Sequence, residues 1–289
     1  MAIRCIFESH IPAWSNPTIL AQRLDLWQRA SINTVMLLAD SGGGVTWKTS
    51  LAPYDARINE KDPPLSAAVD QIHRAGLRVY VCVNVMGIYQ AANPIKSEYL
   101  LSDYSEPFYD VWNSAFRAWR RDYIKSCIES CDADGLALDY IRSGREQLSE
   151  SITAGEAVML MLQAIRSATP EGLPIVNTSS TSFNATRKQG VHMDDWLAAG
   201  VVDACCLTNY NTPYPLNEIT PLPDEQVWLM SGNYDVVNSV VIPRTGLTVG
   251  REWRRMKRLR PNLAGYGLYL SNLFTADQAN ALGTEYGTV

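Results

Sequence analysis

The sequence predicts an α/β chain closing as a single (β/α)8 barrel of the TIM type over residues 1–289, and three observations carry that reading. Short β-branched or apolar runs alternate with longer amphipathic stretches along the whole chain. Eight such runs can be counted, the number a closed barrel needs. The longest connections, 41–63, 86–106 and 178–193, all follow the C-terminal ends of predicted strands, the face on which barrel enzymes carry their sites.

The predicted strands are 3–9, 33–40, 78–85, 135–141, 174–180, 203–210, 226–233 and 265–272. Helical periodicity falls between them at 17–31, 64–75, 107–131, 146–168, 194–199 and 248–259, and at 276–282 after the last strand. The segment 211–225 is proline-rich and predicts a loop where the ideal pattern has a helix. An open doubly wound sheet competes with the barrel, but the "SGGG" of 41–44 lacks the spacing of a dinucleotide-binding turn and opens no helix.

Composition narrows the function classes. With 46% hydrophobic and 19% charged residues the chain can bury a full core. A net charge of −5 and a pI near 5.3 give a nucleic acid or an anionic membrane nothing to attract it. The basic run at 251–261 is spaced as the solvated side of a helix. Three histidines without ligand spacing predict no metal, and no cofactor is expected. The six cysteines, mostly within apolar runs, read as buried thiols. If Met1 is the native start the protein stays in the cytoplasm; a trimmed signal would make it secreted or periplasmic. The sequence specifies no oligomeric state.

The candidate site starts from 132–144, "DADGLALDYIRSG". Side chains alternate along a strand, so if Leu136 and Leu138 face the helices, Gly135, Ala137 and Asp139 face the barrel axis. A carboxylate at the rim above small residues is costly unless paired or used. Two carboxylates about a sugar linkage can divide the acid and base work, so Asp139 is read as catalytic with Glu8 or Asp40 as its partner; Asp235 competes for the same role. Asn84, Arg142, Asn177, Asn209, Tyr210 and Asp235 would hold sugar hydroxyls, and Trp47 and Tyr234 belong to an aromatic rim that also includes Tyr89 and Tyr104. The expected partner is a carbohydrate. No serine elbow or paired histidine supports a hydrolytic triad. His73, Asp134 and Asp203 fall at the opposite end of the barrel and read as structural.

Several ordered stretches, 32–40, 64–85, 123–142, 162–180 and 194–211, resemble glycosyl-hydrolase-like family 10, a mainly bacterial barrel group. The resemblance implies a polysaccharide-acting barrel with Asp139 as chief catalytic residue and Arg142, Asn84 and Tyr210 at polar positions of the pattern. The chain departs from that pattern after Arg142, with Ser143 and Gly144 where the family carries Tyr-Pro. A barrel that binds carbohydrate without hydrolysing it is the main alternative. A lyase or isomerase acting on a phosphorylated metabolite is weaker, because the loops after the last strands offer few anion donors.

Overall fold

Eight parallel strands close on themselves in the computed structural model, which describes residues 2–41, 43–87, 96–101, 108–143, 152–180, 187–210, 213–216 and 222–286. They are β1 (Ile3–Glu8), β2 (Thr34–Leu38), β3 (Arg78–Asn84), β4 (Gly135–Asp139), β5 (Ile175–Ser180), β6 (Ala204–Asn209), β7 (Val227–Gly232) and β10 (Gly265–Tyr269), in the circular order β1-β10-β7-β6-β5-β4-β3-β2. This is the (β/α)8 barrel the alternation predicts.

Both faces of each strand are buried, and they form two separate cores. Phe7, Met36, Tyr80, Ala137, Cys206 and Met230 belong to the group that fills the interior. Neighbours of opposite parity, such as Ile6, Val35, Val81, Leu138 and Leu207, pack in a larger layer with the helices. Bulk inside the barrel dictates small residues beside it: a Cβ on Gly135 would lie 2.3 Å from the Tyr80 ring, which itself meets Trp228 edge-on at 5.2 Å.

The helices are α1 (Ile11–Trp14), α2 (Pro17–Arg29), α3 (Leu65–Arg74), α4 (Ser114–Glu129), α5 (Ala154–Ala168), α6 (Met193–Ala198), α7 (Gly246–Leu259) and α8 (Ala276–Tyr286). Their starts follow local chemistry. Asn113 caps α4 through Ala115 and Phe116, and Thr153 and Glu156 form a reciprocal capping box on α5. Thus α4 begins at 114 rather than the expected 107, and α5 at 154 rather than 146. The described part of the 211–225 connection carries a 3-10 turn at Asp224–Gln226 and no α-helix.

One element was not expected. Between β7 and α7 the chain forms an antiparallel hairpin, β8 (Tyr234–Val237) and β9 (Val240–Pro243), turning through Asn238 and Ser239, both at positive φ. Its valines are exposed. At the N-terminal end of the barrel, Asp134 accepts from Val79 N and pairs with His73 at 2.9 Å, while Asp203 accepts from Ile175 N and pairs with Arg166. These acids tie strand starts to helices. Among the described residues no helix is long and apolar enough to cross a membrane.

Candidate functional site

Asp139 stands at the C-terminal end of β4 with the inward parity of Ala137. Its Oδ1 accepts from the Tyr140 backbone N–H at 2.8 Å and from the Thr178 hydroxyl on β5. Its other oxygen accepts no hydrogen bond among the described residues, and the residue lines a cavity of about 370 Å³. Burial holds the Asp139 carboxyl above the ordinary aspartate range, opposed by the Thr178 and Tyr140 hydrogen bonds and by the charge of Arg142. The cavity is walled by Thr178, Ser179 and Ser180 from β5, Thr208 and Asn209 from β6, Tyr210, and Tyr269 from β10. It therefore lies off-centre, over the β4-β5-β6 arc.

The turn after Asp139 is built by backbone strain. Tyr140 sits at φ +54°, a left-handed conformation costing a bulky residue on the order of 1–3 kcal/mol. Its ring is pressed onto Gly87, where a Cβ would lie 2.2 Å from the ring edge. Beyond the strand ends, Val85 N and Met86 N continue to donate to the carbonyls of Asp139 and Tyr140. The reversal sends Ile141 into the core and Arg142 to the cavity wall, its guanidinium carbon 5.5 Å from the Phe108 ring and 5.4 Å from that of Tyr140.

An aromatic series runs along the other wall. Phe7 stacks on Tyr269 at 5.0 Å, Tyr269 meets Tyr210 at 4.8 Å, and Tyr210 stacks on Tyr234 of the hairpin at 6.0 Å. Tyr210 is 42% exposed.

The structure thus brings Asp139, Arg142, Asn209 and Tyr210 together, and separates them from the other sequence-predicted residues. Glu8 was expected beside Asp139 as its partner. Cys5 and Phe7 take the interior instead, and Glu8 turns outward to pair with Arg23 of α2, accept from His10 N at 2.8 Å and accept from Ser271 Oγ at 2.9 Å. Asn177 likewise has the outward parity of Ile175 and is fully buried, with neither amide atom hydrogen-bonded. Trp47 was expected on the rim but is buried against Tyr123, its indole N–H donating to Ser126 Oγ at 3.0 Å. Asp235 is occupied by Arg244 at 2.8 Å on the hairpin, outside the cavity lining. Tyr234 touches the site through Tyr210. Tyr89 and Tyr104 lie outside the described residues.

Asp40 and Asn84 form a second polar group, also fully buried. Asp40 accepts from Asn84 N and Asn84 Nδ2, each at 3.1 Å, and from the Tyr123 hydroxyl at 2.9 Å, with Arg120 Nη1 at 3.8 Å. Burial pushes the Asp40 carboxyl up to about 6, against the pull of Arg120 and these donors. The Arg120 guanidinium is itself enclosed by rings, including Tyr123 at 4.6 Å and Trp119 at 4.8 Å. Asn84 pairs in register with Asp139, so the two groups are neighbours across β3 and β4, but neither Asp40 nor Asn84 lines the cavity. Sequence reasoning missed Arg120, Thr178 and Thr208. The inward parity of β5 and β6 was the signal for the threonines, whereas a buried arginine on a helix leaves none.

Among the described residues no group of three or more His, Cys, Asp or Glu side chains is arranged to hold a metal ion. Burial holds the thiols high, Cys5 to about 12 and Cys131 to about 11, which makes them poor ligands and nucleophiles.

No family model matches the chain, and no curated protein matches it in sequence. Solved structures match it in fold. The glycoside hydrolase domain of PgaB (BpsB) from Bordetella bronchiseptica superposes with a TM-score of 0.75 at 12% identity, over 98% of each chain. Alpha-L-fucosidase isoenzyme 2 from Paenibacillus thiaminolyticus gives 0.69 at 13% identity, over 99% of this chain and 49% of that one. The chitinase RmChi1 from Rhizomucor miehei gives 0.63 at 14% identity, over 98% of this chain and 99% of that one. Likeness at these identities establishes the barrel. The resemblance to glycosyl-hydrolase-like family 10 rests on the sequence motifs.

Proposed function

We propose that the chain is a glycoside hydrolase in which Asp139 donates a proton to the glycosidic oxygen of a sugar bound in the cavity above β4, β5 and β6. One observation carries this reading: a carboxyl raised by burial, on a residue that lines a polar cavity, has one oxygen occupied by two donors and the other accepting none among the described residues. Two donors on Oδ1 leave Oδ2 as the oxygen on which a proton would sit, the place a general acid needs it before it acts. The hydroxyls of Thr178, Ser180 and Thr208 and the amide of Asn209 match sugar hydroxyls, and the partly exposed Tyr210 gives the wall aromatic character. The company of barrels named as glycoside hydrolase, fucosidase and chitinase supports the same class.

Among the described residues Asp139 is the one carboxylate lining the cavity. An attacking group supplied by the substrate itself, as in substrate-assisted hydrolysis, needs no second carboxylate. The same observation favours a second reading, a carbohydrate-binding barrel without turnover. Release of reducing ends from a panel of oligosaccharides separates the two. Under the hydrolase reading Asp139→Asn lowers turnover by roughly a hundredfold to ten-thousandfold while retaining binding. Turnover unchanged in that variant removes Asp139 from the chemistry, and binding by the native chain without any released ends establishes the second reading.

A further inference from the structure

We infer that the cavity is built for a sugar carrying an anionic substituent, a carboxylate or a sulfate, held by Arg142. The inference rests on the carbohydrate reading of the cavity and adds the class of sugar.

Several other arginines in the structure are paired with carboxylates: Arg23 with Glu8, Arg166 with Asp203, Arg187 with Asp194, Arg255 with Glu252 and Arg260 with Asp224. Arg142 differs. Among the described residues its side chain makes no ion pair and donates no hydrogen bond, and its Nε is buried without an acceptor. The partly buried guanidinium is held in place by the Phe108 and Tyr140 rings, leaving its terminal nitrogens as the part a ligand meets.

Asp139 feels its charge but forms no close ion pair with it. That carboxyl is engaged by Thr178 and the Tyr140 N–H and forms no ion pair with Arg142 within 4.0 Å. The strained turn at Tyr140 therefore sets a proton donor and a cation without an ion-pair partner on one wall, three residues apart in sequence. A neutral hydroxyl would give the guanidinium one hydrogen bond and leave its charge uncompensated. A carboxylate or sulfate supplies the opposite charge and two acceptor oxygens that match the planar fork. The remaining wall groups, hydroxyls and an amide, have no charge to repel an anion.

The test is the affinity of the intact protein for glucuronate, glucose 6-sulfate and glucose, measured by ligand-observed NMR titration. We expect at least one acidic probe to bind roughly tenfold to a hundredfold more tightly than glucose, and the stronger of the two tells carboxylate from sulfate. Arg142→Gln should equalise the three probes. Arg142→Met, which keeps the apolar stem, repeats the test if the first variant fails to fold. Arg142→Lys should keep a reduced preference, because the charge remains and the fork is lost. Equal binding of all three probes to the native chain, or a preference that survives Arg142→Gln, overturns the inference. Cleavage of neutral oligosaccharides without anionic preference would leave the hydrolase reading standing and this one refuted. Anionic preference without cleavage of any glycan would do the reverse.

Discussion

Replacing Asp40 by Asn tests whether burial or Arg120 governs the sealed polar group beneath the β2-β3 rim. In the fold the Asp40 carboxyl is pushed from 3.8 to about 6. At roughly 1.4 kcal/mol for each tenfold change in proton affinity, that gap is worth about 3 kcal/mol. The sign follows from the direction: the folded chain holds the proton more tightly than the unfolded one. The associated stability is fully present below pH 3.8 and is lost as pH rises through about 6. The carboxamide of Asp40→Asn cannot ionise, so the variant lacks this dependence. Urea denaturation at a series of pH values should show native stability falling, relative to Asp40→Asn, by roughly 2–3 kcal/mol between about pH 4 and pH 8. A flat difference would refute the reasoning, and a native chain gaining on the variant as pH rises would invert it. The second result would mean that Arg120, at 3.8 Å and wrapped in aromatic rings, outweighs the loss of hydration.

Two further perturbations address the cavity directly. Thr178→Val removes a donor that favours the ionised form of Asp139, so the carboxyl moves higher and the alkaline limb of turnover shifts to higher pH; a pH profile of kcat/KM that is unmoved or moves to lower pH contradicts this. Gly87→Ala drives a methyl to 2.2 Å from the Tyr140 ring and should cost about 1–3 kcal/mol in a thermal or urea melt. The same variant should weaken glycan binding, because Tyr140 sets the positions of both Asp139 and Arg142; wild-type stability in it would show that the turn is not held by that contact.

The barrel was legible because eight apolar runs at regular spacing leave few alternatives, and β4 announced its parity through Gly135 and Ala137, residues too small for the outer layer. Parity failed where both faces are apolar. In β1, Ile3, Cys5 and Phe7 alternate with Arg4, Ile6 and Glu8, and nothing in hydrophobicity says which set fills the interior. Asn177 in β5 was misjudged for the same reason. The aromatic rim failed differently: Trp47 follows a strand, as a rim residue would, but its loop folds back against α4. The hairpin left a readable signal, two valine pairs flanking Asn-Ser, that a search for barrel units alone passes over. Long-range pairing such as Arg120 with Asp40 has no local signature, since the partners stand 80 residues apart.

The off-centre cavity divides the mouth of the barrel into a working arc and a locked arc. Around β1 and β2 the strand-end acids are clasps, Glu8 to Arg23 and Asp40 to Arg120, joining the mouth to the helical coat. Around β5 and β6 the corresponding positions hold short neutral hydroxyls that line the cavity. Under the proposed reading, a directed library for new ligands would vary Ser180 and Thr208, where a changed side chain reshapes the cavity wall. The same change at Glu8 or Asp40 would loosen the wall against which every ligand must be held.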